Sequence, residues 1–169
     1  ATVVRATSIP TESILFNIDV EGPINKDKTA VLRVFAKVFY NHLGFYGEDL
    51  KIAKLERFVD KSGKTAAFRR AFAEVNGAPW LETRASCAFF EDDIVSVLQS
   101  VLGMSETAAR NWFNSEENVN MSIKQLVEEI KEYVDAKGKD FRLLFCVDEV
   151  GQYIGDDGDL MINLQSIVE

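Results

Sequence analysis

Leu143-Leu144-Phe145-Cys146-Val147-Asp148-Glu149 is the stretch on which the reading of this chain turns. With Phe141 before it, it forms a nearly unbroken apolar run, the pattern of a β-strand buried on both faces in the middle of a sheet. The run ends abruptly in two carboxylates. A strand of this kind would hold both acids rigidly at the carboxyl edge of the sheet, where α/β folds bind ligands. In a Walker B element the first acid, Asp148, holds Mg²⁺, usually through water, because Mg²⁺ dehydrates reluctantly. The second, Glu149, orients or deprotonates the water that attacks a γ-phosphate. The same pattern also fits a core strand whose acidic pair merely marks the return to solvent, and the motif alone leaves both readings open.

Outward from this strand, a second β-rich run stands at Ile14 to Val20, ended by the turn residues Glu21-Gly22-Pro23. Thr2 to Ala6 is a further short-strand candidate. Helices fill most of what lies between. Asp27 is a plausible N-cap for a helix from Lys28 to about Leu43, with Val31, Leu32, Phe35, Val38 and Phe39 as its buried stripe. Further helices are expected from Glu48 to Val59 on Ile52, Leu55 and Phe58, and from Thr65 to Asn76 on Phe68, Phe72 and Val75. Asp92 to Leu102 and Ser105 to Phe113 read as two more. The segment from Ala78 to Phe90 is aromatic but aperiodic. Ser122 and Gln125 match a capping box for a helix to about Ala136. Gly77, Gly103 and Gly138 stand where helices should stop. Gly151 to Gly158 reads as a loop, and Asp159 opens a closing helix on Leu160, Leu164, Ile167 and Val168. Two parallel-type strands separated by well over a hundred mostly helical residues indicate α/β architecture with part of the sheet missing.

A Walker B strand needs a companion, the phosphate-cradling loop G-x-x-x-x-G-K-[ST]. Gly63-Lys64-Thr65 matches its end, but Phe58 stands where the first glycine belongs, and Ile52 to Val59 has helical periodicity. These three residues read as a helix-breaking turn. A true P-loop is therefore expected to precede Ala1 in a longer protein. The lack of an initiator Met and the end at Val168–Glu169, inside a helix without a C-cap, fit the same expectation.

Composition sets further bounds. The 169 residues suit one ordinary domain and are 47% hydrophobic and 27% charged, with a formal net charge of −8. A surface this acidic repels phosphate backbones, so direct nucleic-acid binding by this chain is not expected. A domain of this size buries roughly two thirds of its unfolded surface and needs no disulfide staple. Cys87 and Cys146 sit in apolar sequence and read as buried, reduced thiols, which suggests the cytoplasm. No apolar run reaches the length of a membrane-spanning helix. One histidine and no C-x-x-C pair make a zinc site a poor fit.

The tail from Leu143 to Glu169, LLFCVDEVGQYIGDDGDLMINLQSIVE, resembles the Walker B region of BrxC/PglY-type P-loop proteins, the large ATPases of BREX bacteriophage-resistance systems. There a DEVGQ-type turn is followed by a helix of LMLNLQ type. The resemblance extends upstream through Ile14 to Asp19, the Phe-rich helix at Val31 to His42 and the pair Trp112-Phe113. It implies an AAA+-like ATPase module, with ATP and Mg²⁺ bound in the full-length protein and none held tightly by this piece. It also implies the rest of that ATPase as partner, together with other phage-defence proteins. With the resemblance added, the Walker B reading of Asp148 and Glu149 is preferred.

In AAA+-like sheets the strand beside Walker B often carries a polar residue that restrains the catalytic Glu until a partner binds. Asn17 stands in the matching strand and is a candidate for that role toward Glu149. An amide bonded to loop backbone near a strand end is the simpler explanation, since a buried amide must find some partner. Gln152 follows the acidic pair, either orienting the nucleotide or lying in solvent. Asp156, Asp157 and Asp159 around Gly158 lack EF-hand spacing and read as helix-capping residues. His42, near a helix end, reads as a stabiliser of that terminus. Most of the aromatic residues fall at helical spacing and read as core.

The expected fold is thus an incomplete AAA+-like P-loop core, α/β with few parallel strands and predominantly helical. Residues 14–20 and 141–169 belong to that core, and residues 22–140 form a helical insertion. The expected function is that of an ATPase fragment, inactive alone, in which Asp148 is the metal-binding residue and Glu149 and Asn17 serve catalysis. The competing reading is a non-enzymatic helical protein-interaction domain.

Overall fold

The computed structural model describes all residues except 1–8, 24–26, 28 and 169. The candidate strand at Thr2 to Ala6 and the helix-end residues Lys28 and Glu169 lie outside the described part. In chain order the elements are β1 (Thr11–Asn17), α1 (Ile18–Glu21), α2 (Ala30–His42), α3 (Leu50–Lys61), α4 (Thr65–Asn76) and α5 (Trp80–Thr83). A 3-10 turn (Arg84–Phe89), α6 (Glu91–Leu102), α7 (Glu106–Asn114) and a second 3-10 turn (Glu116–Asn118) come next. Then follow α8 (Ile123–Lys137), β2 (Arg142–Asp148), α9 (Val150–Ile154) and α10 (Gly158–Val168). The described residues are predominantly helical with one small parallel sheet.

Two compact units emerge, Ala1–His42 with Met121–Glu169, and Leu43–Asn120. The second is narrower than the 22–140 span read from sequence, because α2 and α8 belong with the strands. In the strand unit, β1 and β2 pair in parallel from Thr11 opposite Arg142 to Asn17 opposite Asp148. This adjacency is what the sequence reading required. One sheet face is packed: Phe35 of α2 lies 5.4 Å from both Phe16 and Phe145, ring centre to ring centre. Val31, Leu32, Phe35, Val38 and Phe39 are all buried, as their spacing indicated. Val34 and Tyr40 are buried too, because β1, α8 and α10 all pack on α2.

Among the described residues the other sheet face is open. Strand residues alternate sides, so Ser13, Leu15, Leu144 and Cys146 share it. Leu15 is 80% exposed and Leu144 48%. β2 was expected to be buried on both faces, and Cys146 with it. Instead every second residue of β2, Cys146 included, is exposed, because nothing among the described residues packs on that side.

In the unit Leu43–Asn120, helices α3, α4, α6 and α7 bury one continuous core around Trp80. The Trp80 ring meets Phe68 at 5.2 Å and Phe72 at 5.0 Å, edge to face. This anchors the aperiodic segment after Ala78, whose backbone is a short helix and a 3-10 turn. Val75, expected in the stripe of α4, is half exposed, since Phe68 and Phe72 already fill the contact with the core. Phe58 is only partly buried and stacks on Trp112 at 5.5 Å. Glu56 is buried and satisfied on all sides: Trp80 Nε1 (2.7 Å) and Arg84 Nη1 (2.9 Å) donate to Oε1, and Tyr46 N (2.6 Å) to Oε2. Gly77 and Gly103 end α4 and α6 with φ of 83° and 68°, the left-handed turn that glycine adopts without a Cβ penalty. The capping box at Ser122 and Gln125 is formed in both directions.

Candidate functional site at the carboxyl edge of the strands

Both strands end level with each other, Asn17 opposite Asp148. Asn17 ends β1 for a local reason. Its Oδ1 accepts from the backbone N–H of Asp19 (2.9 Å) and Val20 (3.2 Å), which turns Ile18–Glu21 into a helical turn. The strand read as Ile14 to Val20 is thereby displaced to Thr11–Asn17. Of the two roles open to Asn17, the oxygen serves the backbone-bonded one.

Asp148 is exposed at the tip of β2, and its Oδ1 accepts from Glu149 N–H at 2.9 Å. Its Oδ2 accepts no hydrogen bond among the described residues. Glu149 then takes φ 59° and ψ 24°, the only non-glycine residue described with positive φ. For an L-residue this left-handed conformation costs about 1–2 kcal/mol, so surrounding packing has to hold it. The Glu149 carboxylate is exposed. The turn carries the chain directly into α9, where Tyr153 N–H donates to Glu149 O at 3.0 Å. The stretch after Val150, read as a loop, is therefore helical in its first half. Tyr153 and Ile154 are its buried residues, and Gln152 is exposed.

Asn17, Asp148 and Glu149 thus meet at one sheet edge. Gly63-Lys64-Thr65 belongs to the other compact unit, in the turn between α3 and α4, where Thr65 Oγ1 donates to Asp60 Oδ1 at 2.8 Å. Asp157 caps α10, its Oδ1 accepting from Asp159 N and Leu160 N. No group of three or more metal-ligating side chains occurs among the described residues. A single exposed carboxylate with one unengaged oxygen does fit Mg²⁺, which keeps most of its waters and takes other ligands from phosphates.

Sequence reasoning missed two clusters. Gly22 and Tyr153 pack directly on each other: a Cβ at Gly22 would stand 2.5 Å from Tyr153 Cε2. The clue was the placement of Tyr153 and Ile154 three and four residues after Val150, a helical interval. The second cluster gathers on Glu12, whose Oε2 contacts His42 Nε2 (2.7 Å) and accepts from Tyr133 OH (2.6 Å), while Lys137 Nζ donates to Oε1 (3.0 Å). These hydrogen bonds, that of Tyr133 foremost, hold the Glu12 carboxyl down to about 2. Burial, and then its bond to Glu12, push the Tyr133 hydroxyl up. Tyr133 and Lys137, one turn apart on α8, were the visible signal. His42 therefore ties the end of α2 to β1.

No protein-family model matches the sequence, and no solved structure matches the chain. No helix among the described residues is long and apolar enough to cross a membrane.

Proposed function

We propose that this chain contributes the Walker B half of an AAA+-like P-loop ATPase site, with the phosphate-binding loop supplied by another part of a longer protein. The observation that carries this reading is the parallel pairing that sets Asn17 opposite Asp148 at one carboxyl edge, with Glu149 held in a turn directly beyond. Mg²⁺, when bound with ATP, would neutralise charge on the phosphates. Asp148 Oδ2 would hold it, directly or through water. Glu149 would orient the attacking water and take its proton. Asn17, whose Oδ1 caps α1, has its side-chain N–H₂ left to restrain Glu149. The resemblance to BrxC/PglY-type proteins supports a cytoplasmic phage-defence ATPase, with the remaining ATPase domains and other defence proteins as partners.

The test is turnover of the P-loop-bearing protein. Glu149→Gln should leave nucleotide binding in place and lower hydrolysis roughly 10²-fold or more, the scale of general-base catalysis. Asp148→Asn should instead weaken Mg²⁺-dependent binding, because the metal loses a formal charge beside it. Near-wild-type hydrolysis by Glu149→Gln would remove the catalytic role. The 169-residue chain alone should bind ATP no more tightly than about millimolar, since one or two carboxylates offer Mg²⁺ too few ligands. The helical interaction-domain reading has one observation in its favour, Phe89 at 85% exposure in the unit Leu43–Asn120. Retention of a binding partner by that unit, with Glu149→Gln silent, would favour it.

A further inference from the structure

Glu149 needs something to hold it, and the structure offers one group placed to do so. The helix that follows, α9, has five residues, too few to persist by local hydrogen bonding. Its conformation rests on what it buries, Tyr153 and Ile154. Tyr153 is tied to Glu149 by its own N–H, which donates to the Glu149 carbonyl at 3.0 Å. Its ring is 2% exposed and lies against Gly22, the residue that closes α1 by donating its N–H to Ile18 O at 2.9 Å.

No other residue fits at position 22. A Cβ there would stand 2.5 Å from Tyr153 Cε2, 2.8 Å from the Tyr153 hydroxyl oxygen and 2.7 Å from the Ile18 carbonyl oxygen. Backbone on one side and a buried ring on the other leave no cheap way to make room. The glycine is needed here for space, since its φ of −74° is ordinary. Asn17, through its cap of α1, fixes the same turn from the β1 side. The two strand ends are thereby joined twice, by the β1–β2 ladder and by the contact of α1 with α9.

We propose that Tyr153, seated on Gly22, is the positioning residue that holds Glu149 in its left-handed conformation and so fixes where that carboxylate stands beside Asp148. Its consequence for hydrolysis rests on the Walker B reading. The conformational claim does not.

The 169-residue chain tests the conformational claim through the backbone chemical shifts of Glu149, its intraresidue HN–Hα NOE and its one-bond Cα–Hα coupling, which together report the sign of φ. Glu149 should show positive φ in the unmodified chain and in Tyr153→Phe, which keeps the ring. Gly22→Ala and Tyr153→Leu should return it to negative φ. Positive φ retained in both variants overturns the proposal, as does negative φ in the unmodified chain. Should Tyr153→Leu not fold, melting temperatures decide. Glu149→Gly relieves the left-handed penalty and should raise the melting temperature by roughly 2–4 °C. In the Gly22→Ala background the gain should fall below half of that, and an undiminished gain sinks the idea. In the P-loop-bearing protein, Tyr153→Leu should lower kcat by about 10- to 100-fold with KM within about twofold, the signature of a misplaced group. Tyr153→Phe should stay near wild type. If Glu149→Gln leaves turnover intact, the Walker B reading fails while the sign of φ still decides the role of Tyr153.

Discussion

Glu12 sits where three elements converge, and its carboxylate is answered by His42 from α2 and by Tyr133 and Lys137 from α8. Its carboxyl lies at about 2 in the folded chain against 4.5 ordinarily. A carboxyl lowered on folding contributes stability that is fully present above the ordinary value and is lost as pH falls toward the folded one. The strand unit should therefore lose stability from pH 4.5 down to about 2. Glu12→Gln should flatten that acid slope. Urea midpoints followed by circular dichroism across this range would check it, and equal slopes would show that the Glu12 cluster does not set acid stability. The two cysteines give a second contrast at this scale. Cys146 is exposed, whereas Cys87 is buried with its thiol pushed up to about 11, chiefly by burial. Since the thiolate is the reactive form, a maleimide should label Cys146 in the native chain and reach Cys87 only after denaturation. Equal labelling rates would contradict the burial of Cys87.

At the scale of elements, the unit Leu43–Asn120 depends on a buried carboxylate as well as on apolar packing. Glu56 of α3 gathers Trp80 from α5, Arg84 from the following turn and the backbone of Tyr46. Arg84 also lies 4.8 Å over the Tyr46 ring. Removing one partner of a buried ion pair strands the rest, at a cost of about 3–5 kcal/mol. Glu56→Ala should accordingly lower the urea midpoint of this unit. Tryptophan fluorescence reads it selectively, because Trp80 and Trp112 both lie within these residues. A variant with an unchanged midpoint would reduce Glu56 to a minor contact.

At the scale of the whole molecule, the uncovered sheet face is the feature that most needs explaining. Parallel sheets are ordinarily covered on both faces by crossover helices. Among the described residues nothing covers Leu15, Leu144 and Cys146, and the same face runs on to Asn17 and Asp148 at the site. If the chain completes a larger P-loop core, that core should cover this face. Maleimide labelling of Cys146 should then be at least tenfold slower in the P-loop-bearing protein than in the 169-residue chain. Equal rates would mean that the face stays open there and would count against a shared sheet.

Much of this was readable from local pattern. The stripe of α2, the stops at Gly77 and Gly103, the box at Ser122 and Gln125 and the parallel-type run at Leu143 to Val147 all follow from periodicity or from caps formed within a few residues. Those interactions are short-range, so neighbouring residues encode them. The acidic pair at a strand end was legible for the same reason. Three things were not. Asn17 could extend a strand or cap a helix, and only the backbone beyond it chose the cap. Apolar runs in β2 look alike whether one face or two are covered, because burial depends on what packs there and not on the run itself. The seat of Tyr153 on Gly22 joins residues 131 positions apart in the chain. Sequence determined the elements and placed the two acids at the end of one of them. Tertiary structure decided where β1 gives way to a helical turn, which sheet face stays open and what holds Glu149, because those outcomes depend on long-range packing that no local pattern specifies.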